Sequence, residues 1–137
     1  MRNAYRSREL YNEQAFRHLL SSESKRSERS GSSFTILLIY STDKQGLTVQ
    51  MDCDVADTVA KALFRSLRRT DYIGWYREGR IIGGVLTLLA RDSVVEVSVR
   101  LQQHVMDILR AEVCVEENCH LHIRVCQQHE LEGIRNL

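Results

Sequence analysis

The chain has 137 residues, which is the size of one compact domain. Apolar residues make up 43% and charged residues 27%, so it has the composition of a folded protein whose core needs no disulfide framework. No apolar run approaches the roughly 20 residues of a membrane span, and the polar N-terminus does not resemble a secretory signal. We therefore expect a cytoplasmic domain without membrane contact.

The first predicted element is a helix over about residues 7–30. Its apolar residues recur at roughly helical spacing and are Leu10, Phe16, Leu19 and Leu20. A continuous apolar run over residues 34–40 follows and predicts a strand that is buried on both faces. Residues 47–51 alternate between apolar and polar types, which indicates a short edge strand.

The rest of the chain continues this alternation of helices and strands. The further predicted elements are a helix over 54–69, strands over 71–76 and 81–89 around a turn at 77–80, a helix over 93–111 and a closing strand over 120–128. The stretch 93–111 fits either periodicity, and we predict a helix because it is too long for an ordinary strand.

This order predicts an α+β fold in one domain over residues 1–137. Its core, about residues 33–128, has the ferredoxin-like order β-α-β-β-α-β, in which an antiparallel sheet carries its helices on one face. An N-terminal helix precedes the core, and residues 129–137 form a tail.

The cysteines show no C-x-x-C spacing, so we predict free thiols and neither a metal site nor a cofactor. They are Cys53, Cys114, Cys119 and Cys126. The alternative is a zinc site, which would require three or four ligands to converge tetrahedrally. Its candidate ligands are Cys114, Cys119, His120 and His122.

Two glycines and one tryptophan of the hairpin also require interpretation. Gly83 and Gly84 lie within a predicted strand, which indicates that a helix packs closely over it. Trp75 lies on a predicted strand and is expected to have a packing role, with an exposed stacking platform for a base as the alternative. No strand carries the aromatic pairs with which ferredoxin-like sheets bind RNA, so nucleic acid is not an expected partner.

The spacing of several motifs resembles a known family. The first helix has Phe16 and Leu20, followed by two spaced arginines and the apolar strand. The second helix ends in Arg68-Arg69-Thr70-Asp71, and after five residues comes the turn Arg77-Glu78-Gly79-Arg80-Ile81. Over about residues 10–128 this order resembles the GGDEF domain of diguanylate cyclases, which has an Arg-x-x-Asp motif and the GGDEF turn at these positions.

The turn departs from the family in the residues that catalysis needs. The five motif positions are Arg77, Glu78, Gly79, Arg80 and Ile81, so both acids at its third and fourth positions are missing. Joining two GTP molecules requires divalent metals, which prefer carboxylate ligands. The family's aspartate at the end of the first strand falls within residues 40–42, which contain no carboxylate, and Asp43 lies in a different register. We therefore predict no catalytic residue and no enzyme activity.

The Arg-x-x-Asp motif is retained, and in the family it forms an inhibitory site for cyclic di-GMP. The resemblance thus implies a ligand site at Arg68 and Asp71, with Arg69 and Arg100 as further candidates. The alternative is that the motif only marks the end of a helix. We predict a non-catalytic signalling domain of bacterial regulation that binds a protein partner or forms a homodimer. A cyclic di-GMP receptor is the alternative, and an active cyclase is disfavoured.

Overall fold

The computed structural model describes residues 10–30, 34–67, 71–87, 94–112 and 120–127. The helices are α1 (Glu13–Ser30), α2 (Cys53–Ser66) and α3 (Val94–Glu112). The strands are β1 (Phe34–Thr42), β2 (Thr48–Val49), β3 (Tyr72–Arg77), β4 (Ile81–Thr87) and β5 (His120–Gln127). None of the described helices has the length and apolar composition needed to cross a membrane.

Strand β1 lies at the centre of an antiparallel sheet. It pairs with β4 along one side and with β5 along the other, and β3 pairs with β4. The short β2 pairs with Ser41 and Thr42 of β1. These residues lie just past Tyr40, which pairs with Ile81, the first residue of β4. The order β3-β4-β1-β5, with α2 and α3 as the connecting helices, confirms the ferredoxin-like prediction.

Both faces of β1 are buried, as its continuous apolar run predicted. Leu37 and Ile39 pack in the core with residues of α2 and α3. Ile36 and Leu38 point to the opposite face and pack in the core that contains residues of α1. The connecting helices therefore share one face of the sheet, and the N-terminal helix covers the other.

Glycines allow both helix layers to approach the sheet closely. A Cβ atom on Gly74 would lie 2.8 Å from the Phe16 ring, and one on Gly83 would lie 3.0 Å from it. On the other face, a Cβ atom on Gly84 would lie 2.9 Å from a methyl group of Leu67, just after α2. Close packing therefore accounts for the glycine pair in β4, as predicted.

Residues 10–12 extend the sheet instead of belonging to the first helix. The Tyr11 backbone N–H donates to the Ile73 carbonyl at an N–O distance of 3.1 Å, and the Trp75 N–H donates to the Tyr11 carbonyl at 2.9 Å. These bonds form a parallel bridge between Tyr11 and Gly74. The outer edge of β3 is thus paired with the chain itself around Gly74.

Helix α1 consequently begins at Glu13, and the prediction that it includes Leu10 is wrong. The Asn12 side-chain oxygen accepts a hydrogen bond from the Ala15 backbone N–H at 2.8 Å, which is the arrangement of an N-cap. Residues 7–9 of the predicted helix lie outside the described residues.

The other predicted elements are present with shifted ends. Helix α2 ends at Ser66, and Leu67 already has an extended backbone. The ambiguous stretch is helical over its described residues, Val94–Glu112, as predicted. Trp75 is half-buried and packs against the core beneath α2 and α3, which confirms its predicted packing role. The predicted tail, residues 129–137, lies outside the described residues.

We expect Gly74→Ala to destabilise the domain by roughly 1–3 kcal/mol, because overpacking a close contact forces its neighbours to move. The new methyl group would meet the Tyr11 carbonyl oxygen at 2.8 Å as well as the Phe16 ring, and the backbone at Tyr11 cannot move without breaking its bonds to β3. Gly84→Ala is the matched control and should cost less, since only the end of the Leu67 side chain must shift. Urea unfolding of both variants tests this, and equal losses of stability would contradict it.

Candidate functional site

The hairpin turn between β3 and β4 lies beside the end of β1. Ile81, the first residue of β4, pairs with Tyr40 of β1 and with Arg77 of β3. Gly79 has a φ of +77°, a left-handed conformation that glycine adopts without strain. The turn predicted from the sequence is therefore formed.

One side of the turn is bonded to β2 and to the segment that follows it. The Met51 backbone N–H donates to the Gly79 carbonyl at 2.8 Å. The Arg80 guanidinium donates to the Thr48 carbonyl at 3.3 Å. Arg80, the fourth residue of the motif predicted from the sequence, thus makes a structural contact with β2.

The other side of the turn is bonded to the start of α1 by a reciprocal pair of hydrogen bonds. The Glu78 backbone N–H donates to Glu13 Oε1 at 2.7 Å, and the Glu13 N–H donates to Glu78 Oε1 at 3.0 Å. Glu13 is the first residue of α1, where backbone N–H groups lack intrahelical partners and the helix dipole favours a negative charge. The only carboxylate of the turn therefore caps a helix.

Arg17 strengthens this junction from the next turn of α1. Its Nε atom lies 3.2 Å from Glu13 Oε2, and its Nη2 atom donates to the Tyr76 carbonyl at 3.1 Å. The guanidinium carbon lies 4.9 Å from the centre of the Tyr76 ring, a cation–π distance. Helix α1 and β3 are thus joined by charge, hydrogen bonds and ring contact at one place.

These contacts lower the pKa of Glu13 below the ordinary glutamate value of 4.5. The hydrogen bond from the Glu78 backbone N–H is the largest cause, and partial burial opposes it. The positive charges of Arg17 and Arg77 lower the pKa further, and Arg17 also contributes through its hydrogen bond.

A polar cluster occupies the end of β1 on the face that α1 covers. The rings of Tyr40 and His122 are stacked, with centroids 5.3 Å apart and an interplanar angle of 24°. The Thr42 hydroxyl shares a hydrogen bond of 2.7 Å with His122 Nε2. The end of β1 is therefore filled by two rings and a hydroxyl.

Asp43, the nearest carboxylate in sequence, belongs to the turn between β1 and β2. Its Oδ1 atom accepts backbone N–H bonds from Gln45 at 2.9 Å and from Leu47 at 3.0 Å. This is an Asx-type turn, in which the side chain stabilises the local backbone.

The Arg-x-x-Asp corner is only partly within the described structure. Asp71 precedes β3 and is buried, with 6% of its surface exposed. Arg100 is exposed on α3 and forms no ion pair with any part of the chain that the structure describes. Arg68 and Arg69 lie outside the described residues, so the predicted ligand site remains a prediction.

The alternative zinc site falls on partly described residues as well. Cys114 and Cys119 lie outside the described ranges, and His122 is bonded to Thr42. Among the described residues, no three potential metal ligands of the His, Cys, Asp and Glu types converge.

Sequence analysis missed the roles of Glu13, Arg17 and Tyr40. The partners Glu13 and Glu78 are 65 residues apart, and no local pattern connects them. The negative residue in the first turn of α1 and the arginine four residues later did offer a signal, because that spacing favours an ion pair on a helix.

The comparisons with known proteins bear on the fold. No family model and no curated protein matches the sequence. A diguanylate cyclase (DGC) protein from Thermotoga maritima has a similar structure, with a TM-score of 0.63 at 13% identity over 86% of this chain and 82% of that one. The GGDEF domain of DgcB from Caulobacter crescentus, solved in complex with c-di-GMP, gives 0.60 at 13% identity over 93% and 88%.

A third similar structure is the diguanylate cyclase SiaD from Pseudomonas aeruginosa, solved in complex with its activator SiaC. Its TM-score is 0.63 at 20% identity, over 86% of this chain and 46% of that one. At these identities the likeness establishes the fold: the chain is folded like a GGDEF domain.

We expect Glu13→Gln to reduce the loss of stability on acidification. A folded-state pKa below the unfolded value stabilises the fold above about pH 4.5, and this contribution disappears as the pH falls through the lowered folded pKa. At neutral pH the variant should lose only about 0.2–1 kcal/mol, since the Glu13–Arg17 pair is partly exposed.

Urea unfolding of both proteins at neutral pH and at about pH 3.5 measures this difference. Glu28→Gln is the control, because Glu28 is exposed on the same helix and forms no ion pair with a described residue. An acid dependence identical in Glu13→Gln and the unsubstituted protein would show that the junction does not depend on the charge of Glu13.

Proposed function

We propose that this chain is a non-catalytic GGDEF-like domain of bacterial signalling that acts by binding another protein. The observation that carries the proposal is the reciprocal bonding of Glu78 and Glu13. A carboxylate that caps a helix and lies within a structural junction is poorly placed to hold a catalytic metal as well.

The surroundings of the turn support the same proposal. Coupling two GTP molecules requires divalent metals held by hard oxygen ligands. Asp43 bonds its own turn, and the end of β1 carries the Tyr40 and His122 rings in place of an acid. The residues at this end of the sheet therefore do not fit the metals that the fold family uses.

A protein-binding role is favoured by what the fold retains. The core and the docking of α1 are intact, although the residues of the turn now serve structural contacts. A folded domain can act on a partner through its surface without chemistry. SiaD, of which 46% matches this chain, was solved in complex with its activator SiaC, so a protein that contains a similar fold binds a protein partner.

A second candidate function is cyclic di-GMP binding at Arg68 and Asp71. The DgcB domain was solved with c-di-GMP, and the Arg-x-x-Asp motif is kept in this chain. The burial of Asp71 weighs against this function, because a ligand would have to reach a carboxylate that is 6% exposed.

We expect no conversion of GTP by the purified protein with Mg²⁺ or Mn²⁺, since no carboxylate set fits the metals. Chromatographic detection of cyclic di-GMP is the measurement, and an active diguanylate cyclase assayed in parallel is the positive control. Metal-dependent formation of the product, abolished by Glu78→Gln, would contradict the proposal.

We also expect no saturable binding in a calorimetric titration with cyclic di-GMP. If heat of binding is observed, Arg68→Ala distinguishes the explanations. Loss of binding in that variant would establish the second candidate function, whereas unchanged binding would place the ligand elsewhere on the protein.

A further inference from the structure

The outer side of α1 carries two shallow, open grooves that do not include Glu13, Arg17 or Glu78. The first, of about 460 Å³, is lined by Tyr11, Asn12, Gln14, Ala15, His18 and Leu19. The second, of about 450 Å³, is lined by Ser22, Lys25, Arg26 and Arg29. We refer to the surface formed by these ten residues as the α1 outer face.

The two grooves follow each other along one side of the helix. At about 100° per residue, the helical members from Gln14 to Arg29 fall within one sector of roughly 140°. Phe16 and Leu20 point away from this sector and are buried, and Glu23, also buried, borders it beside Arg26. The outer face thus runs the length of a helix of 18 residues, about 27 Å at 1.5 Å per residue.

The chemical character of the α1 outer face changes along its length. The first groove is formed around Tyr11, which is 43% exposed, and the half-buried Leu19. The second groove is basic. Lys25 and Arg29 are exposed and have no ion-pair partner within the parts of the chain that the structure describes, while Arg26 pairs with Glu23.

No carboxylate lines either groove among the described residues. A second copy of α1 packed in parallel would bring basic residues against basic residues. An antiparallel copy would set Lys25 and Arg29 against the groove around Tyr11 and Leu19, which offers no negative charge. Neither arrangement gives the charge complementarity that specific interfaces use.

We infer that the α1 outer face binds an acidic amphipathic segment of another protein. Apolar side chains of that segment pack around Tyr11 and Leu19, and its carboxylates pair with Lys25 and Arg29. An amphipathic helix that lies along a groove is a common mode of peptide recognition. This inference rests on the proposed protein-binding function and supplies the surface and the class of partner.

A pair of labelled peptides tests the inference by fluorescence anisotropy with the whole chain. The first, of about 18 residues, carries leucines at helical spacing flanked by glutamates, and the second has glutamine in place of every glutamate. We expect saturable binding of the acidic peptide. The glutamine peptide should bind with an affinity that is lower by about tenfold or more. Raising the salt from about 50 to about 300 mM should weaken binding of the acidic peptide only.

Matched charge reversals locate the surface. Lys25→Glu with Arg29→Glu should weaken binding of the acidic peptide about tenfold or more. The control is Lys44→Glu with Arg110→Glu, which changes the net charge equally at two exposed positions outside α1 and should leave binding unchanged. Thermal unfolding followed by circular dichroism verifies that each variant is folded.

Three outcomes would overturn the inference. The first is that the acidic peptide does not bind, and the second is that both double variants weaken its binding equally. The third is that light scattering finds a dimer that the α1 substitutions disrupt. GTP turnover is measured separately. If the protein binds the peptide and also forms cyclic di-GMP, the binding surface is supported and the proposal that the domain is non-catalytic is contradicted.

Discussion

The packing of the Phe16 ring against two glycines is the contact on which the rest of this architecture depends. Gly74 and Gly83 expose backbone where any side chain would hold the ring away. Because the ring lies directly on the sheet, α1 covers a face that also contains Ile36 and Leu38 of the central strand. The start of α1 then reaches the hairpin turn, where its bonds to β3 and to the turn are formed.

That geometry also determines what the residues of the hairpin turn contact. An acid in a catalytic turn must remain open to metal and nucleotide, whereas Glu78 is bonded to the first residue of α1. Arg80 reaches to the β2 segment, and the Tyr40 and His122 rings fill the neighbouring strand end. Glu78, Arg80 and His122 each have a hydrogen-bond partner within the protein, so packing constrains the types of these residues.

Sequence patterns predicted the order of the elements because periodicity is a local property. The apolar run of β1, the turn around Gly79 and the close packing at Gly84 were all accessible in this way. The extended backbone at Tyr11 and the bond between Thr42 and His122 were not, since their partners lie far along the chain. An apolar residue before a helix has the same local pattern whether it continues the helix or pairs with a distant strand.

The junction of α1 with the turn also has a consequence for the order of folding. Glu13 and Glu78 are separated by 65 residues, and the bridge at Tyr11 needs β3 to be formed already. Closing so long a loop is entropically costly until the β3–β4 hairpin exists. We therefore expect α1 to dock late and to detach first during unfolding, which would uncover the edge of β3 while the remaining sheet is intact. The residue that precedes the helix thus shields part of a strand edge from intermolecular pairing during the life of the folded protein.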